Sequence, residues 1–252
     1  MPFLPCKRCS LVTQPDRPKG RKRELAPTPV KAEALREGIP VMQPIKLRDP
    51  AAVEAIRQLQ PDLIVTAAYG QILPKSLLEI PKHRCINVHG SLLPRYRGGA
   101  PIQHAIMNGE PVTGVTIMYM AEGLDTGDMI SRVEVPITDE DTSGTIFDKL
   151  SVAGADLLRR TLPDLLAGRI EAVAQNDAEA TYAKNISRDD ERIDWSRPSL
   201  ALFNQIRALA PMPGAFTTLN GEVFKVWASV KPDAGKVQDD SAVQPGTVLN
   251  MN

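Results

Sequence analysis

Residues 61–90, PDLIVTAAYGQILPKSLLEIPKHRCINVHG, decide the fold class. They contain two apolar runs, PDLIVTAAYG and CINVHG, each closed by glycine, with the helix-like PKSLLEI between them. A short, continuous apolar run bounded by turn residues is typical of a strand buried on both faces. The order strand, helix, strand is the building unit of α/β proteins.

The flanking segments continue this alternation. Residues 53–60 predict a short amphipathic helix, and residues 113–120 and 129–137 carry the β-branched residues of two further strands. Residues 142–168 predict a long helix that Pro163 should kink or restart. We therefore predict an α/β fold with a mostly parallel, doubly wound sheet.

The pattern changes after residue 168. Residues 192–216 contain a helical stretch bounded by prolines, and residues 215–230 predict two strands joined around Asn220 and Gly221. An Asn-Gly pair between strand-like segments is a strong hairpin signal. A small β domain is therefore predicted to follow the α/β part.

The composition excludes several classes of protein. Lys+Arg 30 and Asp+Glu 30 cancel in a chain of 252 residues, so the overall charge predicts no attraction to nucleic acid or membrane. No apolar run is long enough to span a bilayer, and no secretory signal is recognisable. The cysteines are few and odd in number, which fits the reducing cytoplasm better than a disulfide-linked secreted protein. No second pair of metal ligands follows Cys6 and Cys9 at the spacing of a zinc site. We predict no metal.

Two polar residues interrupt the second strand-like run. Asn87 and His89 are two positions apart, so their side chains should point to the same side of a strand end, where open α/β sheets bind ligands. An amide beside an imidazole suits proton transfer next to a developing oxyanion. The alternative is a structural Asn and a His satisfied at a turn, and Asn-x-His alone does not decide between them.

A carboxylate that could serve this imidazole lies in the turn GLDTGD, which contains Asp125 and Asp128. Asp125 is the natural third member of the site, although aspartates are common in turns for backbone reasons.

Residues 15–29, PDRPKGRKRELAPTP, predict an exposed basic loop. Such a run of charge is commonly only a solvated surface.

Longer motifs now become informative. NVHGSLLPRYRGGAPI and TGVTIMYMAEGLDTGDMI together resemble the formyltetrahydrofolate-dependent formyltransferases, whose pattern is Asn-x-His, Ser-Leu-Leu-Pro and an Asp in a DTG-like turn. TQPDRPKGR, APIQHAI, RIDWS and RALAPMPGAF resemble the methionyl-tRNA formyltransferase family within that superfamily. The resemblance extends from about residue 11 nearly to the C-terminus.

The resemblance implies transfer of a formyl group from N10 of 10-formyltetrahydrofolate to the α-amine of methionine on initiator tRNA. It makes Asn87, His89 and Asp125 the catalytic trio. Asn87 and protonated His89 would stabilise the oxyanion, and His89 would carry the proton from the amine to the leaving nitrogen. Asp125 would orient His89 and favour its protonated form. The folate site would be bordered by Ser91, Leu92, Leu93 and Pro94.

The resemblance also implies partners and domains. The tRNA contacts expected in the basic loop are Arg17, Lys19, Arg21, Lys22 and Arg23, with Arg21 foremost, although a solvated loop stays the alternative for each. We expect a catalytic domain at 1–181 and an OB-like domain at 182–252. We expect a monomer in a bacterial cytoplasm, with the mitochondrial matrix as the alternative.

The sequence departs from the family at both ends. MPFLPCKRCS stands where members have an apolar strand, a turn and a helix, and residues 211–252 have room for about three of the five strands of an OB barrel. We therefore expect a sheet without its first strand, an incomplete barrel and a truncated chain. The alternatives are glycinamide ribonucleotide or sugar-nucleotide formyltransferase, formyltetrahydrofolate hydrolase or dehydrogenase, and an inactive fragment that at most binds.

Overall fold

The first strands lie outside the main sheet. A computed structural model describes residues 9–19, 24–232 and 244–248 of the chain. In it β1 (Leu11–Val12) pairs in parallel with β4 (Val41–Met42), and β2 (Arg17–Lys19) pairs antiparallel with β3 (Glu24–Ala26). Helix α1 (Pro29–Arg36) connects β3 to β4. The basic segment expected as a loop therefore contains a short β-hairpin, because Pro18 is tolerated in a two-stranded ribbon.

The main sheet has four strands, in the order β5-β6-β7-β8. Their bounds are β5 (Ile64–Ala67), β6 (Cys85–His89), β7 (Val112–Tyr119) and β8 (Met129–Pro136). The pair β5–β6 is parallel, whereas β6–β7 and β7–β8 are antiparallel. The predicted α/β class is confirmed, but the sheet is mixed rather than mostly parallel. Residues 120–128 between β7 and β8 are too few for the crossover that a parallel pair requires.

Helices cover both faces of this sheet. They are α2 (Pro50–Gln58), α3 (Lys75–Leu78), α4 (Pro101–Met107) and α5 (Ser143–Leu166). Thr142 caps the N-terminus of α5, and its hydroxyl accepts a hydrogen bond from the backbone N–H of Thr145. The restart expected at Pro163 does not occur, since that proline lies in the last turn, where few helical hydrogen bonds remain to be lost.

Strand β6 separates two apolar clusters. Ile86 packs with Ile146 of α5 on one side, and Cys85 packs with Leu77 of α3 on the other. Successive side chains of a strand point to opposite faces. Asn87 and His89 are therefore directed to the side of Cys85, where α2 and α3 lie.

The C-terminal part contains α6 (Arg188–Glu191), α7 (Ser199–Leu209), β9 (Ala215–Leu219) and β10 (Glu222–Val226). Helix α7 packs on α4, which joins this part to the first. The predicted hairpin is confirmed: Asn220 and Gly221 connect β9 to β10 with φ of 52° and 84°, the left-handed values of the turn that such a pair favours. The OB-like barrel stays a prediction, because residues 233–243 and 249–252 lie outside the described ones.

Candidate active site

Asn87 and His89 occupy the end of β6. Asn87 is paired with Thr66 of β5 on one side and Met118 of β7 on the other, and His89 is paired with Thr116 of β7. The His89 side chain is 6% exposed. The predicted amide and imidazole are thus held by an inner strand of the sheet, with neighbours on both sides.

The amide of Asn87 has a defined orientation. The Thr66 hydroxyl lies 2.8 Å from Oδ1 of Asn87 and 3.1 Å from the carbonyl oxygen of Ile86, and its shorter contact, with Oδ1, directs the Asn87 NH₂ group away from Thr66. Among the residues that the structure describes, this NH₂ group has no acceptor. Asn87 therefore presents a donor that a substrate oxygen can use.

The two ring nitrogens of His89 have different neighbours. Nε2 lies 2.9 Å from the carbonyl oxygen of Tyr96, which can only accept, so Nε2 carries a proton. Nδ1 lies 3.7 Å from Oδ2 of Asp125. That distance is longer than a hydrogen bond, so Tyr96 orients the ring, and Asp125 contributes negative charge beside Nδ1. The expected role of Asp125 in orienting His89 stays a prediction.

Asp125, not Asp128, faces the imidazole. Its Oδ2 also accepts from the backbone N–H of Gly98 at 2.9 Å. The turn requires a glycine at position 127, because a Cβ there would lie 1.8 Å from the carbonyl oxygen of Tyr119. The DTG sequence thus has a steric basis as well as a chemical one.

The loop after β6 contains the four expected folate neighbours. Ser91 is fully buried, and its hydroxyl donates to the carbonyl of Arg95 at 2.7 Å. Leu93 is 1% exposed, whereas Leu92 and Pro94 are half-buried. Ser91 and Leu93 thus support the loop from inside, and contact with a ligand by these residues stays a prediction.

The segment before α6 pairs with this same loop. The backbone N–H of Arg97 donates to the carbonyl of Thr181 at 2.8 Å, and the N–H of Ala183 donates to the carbonyl of Arg97 at 2.7 Å. The Tyr96 N–H donates to the Thr181 hydroxyl at 2.8 Å. The stretch that leads into the C-terminal part therefore fixes the backbone whose Tyr96 carbonyl orients His89.

Gln175 is a functional candidate that the sequence did not reveal, and it lies beside Arg97. Arg97 is 2% exposed and donates to Oε1 of Gln175 at 2.9 Å and to Oδ1 of Asp177 at 2.8 Å. Burial lowers the pKa of Arg97, but the hydrogen bonds and negative charges of Asp177 and Tyr182 together outweigh this effect and raise the pKa. No spacing rule indicated these contacts, since they join residues far apart in the chain.

The basic segment is described only in part. Arg17 is exposed on β2, and Lys19 ends the same strand. Arg21, Lys22 and Arg23 lie outside the described residues. All five stay predicted tRNA contacts.

The base of this hairpin is anchored by a polar network. Lys31 of α1 donates to Asp16 at 2.6 Å and to Gln43 at 2.7 Å. Gln43 in turn donates to Asp16 at 2.7 Å and to the carbonyl of Gln14 at 2.8 Å. These hydrogen bonds hold the base of the β2–β3 hairpin in place.

A cleft of about 490 Å³ opens where the chain leaves β4 and β5. Its lining includes Lys46, Arg48 and Gln71. Gln71 accepts from the backbone N–H of Leu47 at 2.8 Å and holds one wall in place. The carboxyl ends of parallel strands are the common ligand side of such sheets, and two cations there suit an anionic ligand.

The described residues, 9–19, 24–232 and 244–248, contain neither a helix able to span a membrane nor a cluster of metal-binding side chains. No helix in these ranges has the length and apolar character needed to cross a bilayer. Within the same ranges, no group of three or more His, Cys, Asp or Glu side chains is placed to hold a metal ion.

The chain matches known protein families over most of its length. Residues 5–162 match the family described as formyl transferase, and residues 185–252 match the formyl transferase C-terminal domain. The chain is 56% identical over 242 residues to a methionyl-tRNA formyltransferase from Geobacillus sp. (strain WCH70), covering 96% of this chain and 74% of that protein. It thus spans about three quarters of the length of that relative.

Solved structures show the same fold. A sugar N-formyltransferase from Shewanella sp FDAARGOS_354 superposes with a TM-score of 0.66 at 25% identity, covering 80% of this chain and 81% of the other. The formyltransferase PseJ from Anoxybacillus kamchatkensis superposes with a TM-score of 0.52 at 28% identity, covering 69% and 84%. The latter structure contains a formamido sugar nucleotide and tetrahydrofolate.

Proposed function

Because this chain belongs to the formyl transferase family, we propose that it uses Asn87, His89 and Asp125 to move a formyl group from 10-formyltetrahydrofolate to methionyl initiator tRNA. The chain is a transferase with a tetrahydrofolate cosubstrate. The observation that carries the residue assignment is that His89 directs Nδ1 at the Asp125 carboxylate while Asn87, on the same strand face, has a donor with no acceptor among the described residues.

The side chains present fit the two reacting groups. A formyl oxygen needs a hydrogen-bond donor, which the Asn87 NH₂ group supplies, and an attacking amine needs a proton acceptor, which Nδ1 of His89 supplies. 10-Formyltetrahydrofolate contributes the electrophilic formyl carbon and a leaving nitrogen.

Asn87 stabilises the negative charge that forms on the formyl oxygen. The hydrogen bond from Thr66 fixes the amide before the reaction, so no reorientation is needed when the charge develops. A donor fixed in this way contributes about 10²- to 10³-fold to turnover.

His89 moves the proton. Nε2 is already committed to the Tyr96 carbonyl, so Nδ1 takes the proton from the methionine amine and returns it to the leaving nitrogen. Asp125 stabilises the imidazolium that exists between these two steps, since its carboxylate lies 3.7 Å from Nδ1. The burial of His89 strengthens this attraction by excluding water.

Substrate binding is assigned to the surrounding surfaces. Ser91, Leu92, Leu93 and Pro94 border the folate, and the basic hairpin with Arg17 and Lys19 contacts tRNA phosphates. Lys46 and Arg48 are positively charged, so we assign the cleft that they line to tRNA phosphates as well. We place the boundary between the catalytic and C-terminal domains after residue 181, and we propose a monomer acting in a bacterial cytoplasm.

The decisive experiment measures transfer of labelled formyl from 10-formyltetrahydrofolate to three acceptors: methionyl initiator tRNA, glycinamide ribonucleotide and a 4-amino sugar nucleotide. We expect transfer to the tRNA alone. We expect His89→Ala to lower kcat by about 10²- to 10⁴-fold. The matched control is His83→Ala, which changes a histidine outside the site.

Transfer to one of the other acceptors would reassign the substrate within the family. Unchanged turnover in His89→Ala would refute the proposed role of the histidine.

A further inference from the structure

Gln175 connects the catalytic turn to a buried arginine. It lies between the two family matches, which end at residue 162 and begin at residue 185. Its Nε2 donates to the carbonyl oxygens of Asp125 and Gly127, each at 2.8 Å. Both amide hydrogens are therefore used on the backbone of the DTG turn.

Arg97 fixes which way this amide points. The guanidinium can only donate, so the atom that faces Nε of Arg97 at 2.9 Å must be the carbonyl oxygen Oε1 of Gln175. Arg97 is itself held by Asp177 and is 2% exposed. The NH₂ group of Gln175 is consequently committed to the two carbonyls.

The turn needs such support because of its backbone conformation. Asp125 has φ of 51°, in the left-handed region, which residues other than glycine adopt only at a cost. Its carboxylate must meanwhile keep its direction toward His89. The side-chain bond to Gly98 holds Oδ2, and the two bonds from Gln175 hold the backbone.

We infer that Gln175 is a positioning residue for the formyl transfer: it fixes the turn so that the Asp125 carboxylate faces Nδ1 of His89. This inference rests on the proposed function. Gln175 acts through Asp125 and touches neither substrate.

The test replaces Gln175 with a side chain of the same length that cannot donate. We expect Gln175→Met to lower kcat for methionyl-tRNA formylation by about 10- to 10²-fold, while KM for both substrates stays within about twofold, because only the alignment of the reacting groups changes. The matched control is Asn176→Ala. The Asn176 side chain contacts Ala178 and Glu179 within the same segment, so we expect this variant to keep the original kcat.

A second variant protects the test against misfolding. Gln175→Glu keeps an acceptor for Arg97 but places a carboxylate oxygen against the carbonyls of Asp125 and Gly127. We expect the same loss of kcat as for Gln175→Met, and the melting temperatures of the two variants show whether misfolding contributes to that loss.

A double-mutant cycle separates positioning from general damage. If Gln175 acts through Asp125, Gln175→Met combined with Asp125→Asn should be no slower than Asp125→Asn alone. Full kcat in both Gln175 variants, or losses that multiply in the double variant, would overturn the inference. Failure of the unchanged protein to formylate methionyl-tRNA would instead refute the proposed function.

Discussion

Nδ1 of His89 faces Oδ2 of Asp125 across 3.7 Å, while Nε2 of the same ring donates to the carbonyl of Tyr96. The backbone thus fixes the ring, and the carboxylate provides charge. This division of tasks separates two properties, geometry and electrostatics, that mutations can change one at a time.

Asp125→Asn tests the charge. An asparagine oxygen can still accept from the Gly98 N–H, so the turn should keep its shape while the negative charge disappears. We expect single-turnover formyl transfer to slow by about 10²- to 10⁴-fold, since the imidazolium loses its counter-ion. Asp128→Asn is the control in the same turn, and an equal loss there would contradict the assignment of Asp125.

Thr66→Val tests the preorientation of Asn87. The substitution keeps the shape of a buried side chain but removes the hydroxyl that donates to Oδ1 of Asn87. We expect kcat to fall about tenfold, less than the ~10²- to 10³-fold expected on losing the donor itself. Thr113→Val, another buried threonine of the sheet, should leave kcat unchanged. Equal effects of the two changes would argue against preorientation.

Gly127→Ala tests the steric basis of the DTG turn. An added Cβ would lie 1.8 Å from the carbonyl oxygen of Tyr119, and a backbone atom within the sheet cannot easily move away. We expect a loss of about 2 kcal/mol or more in the free energy of unfolding, measured with urea. Gly90→Ala is the control, because its Cβ would meet only ordinary contacts at 3.8 Å or more. A fully stable Gly127→Ala would show that the turn can rearrange.

The ionisation of Asp141 makes the free energy of unfolding depend on pH. Burial raises the pKa of Asp141, but hydrogen bonds led by that from Lys149 outweigh it and lower the pKa from 3.8 to about 2. A lowered pKa stabilises the fold above the unfolded value, and this stabilisation disappears as the pH falls through the folded value. We expect Asp141→Asn to be about 2 kcal/mol less stable near neutral pH, with the difference closing between about pH 4 and pH 2.

The measurement is urea unfolding of both proteins across that pH range. Asp139→Asn is the control, since the side chain of Asp139 is 50% exposed and should show little pH-dependent difference. A constant difference for Asp141→Asn down to pH 2 would contradict the assigned cause.

The basic hairpin should act on tRNA binding only. We expect Arg17→Ala to raise KM for methionyl-tRNA and to reduce the slope of log affinity against log salt by about one, because one phosphate contact is lost. KM for 10-formyltetrahydrofolate should stay the same. Arg36→Ala removes another exposed arginine, which lies on α1 outside the hairpin, and should leave both values unchanged.

Elements with a strong local pattern were predictable. The apolar run that contains Asn87 and His89 indicated β6, the Asn220-Gly221 turn indicated the last hairpin, and flanking prolines bounded α7. The antiparallel pairing of β7 with β8 could have been predicted from the short link between them, whereas that of β6 with β7 could not, because the pattern within a strand says nothing about its neighbour. The hairpin of β2 and β3 was also missed, since β2 contains proline and lysine and β3 contains glutamate and alanine, which are all poor strand formers.

The same limit applies to the site. Asn87, His89 and Asp125 belong to recognisable motifs, whereas the hydrogen bond from Thr66 and the contacts of Gln175 arise only when distant segments meet. The sequence indicated reactive groups, and the structure indicates what holds them. The role of Tyr96 in orienting His89 could be recognised only in the structure, since every residue has a backbone carbonyl and no residue type indicates which one a histidine contacts.

The pairing of Thr181 and Ala183 with Arg97 has a consequence for building hybrid enzymes. A cut placed where the first family match ends, at residue 162, would take these partners away from the loop that they hold. A C-terminal half taken from a second parent and joined at residue 162 would have to provide backbone groups that pair with this loop in the same way. Crossover points after residue 185 keep the pairing within one parent, so functional chimeras should be recovered from that side of the junction.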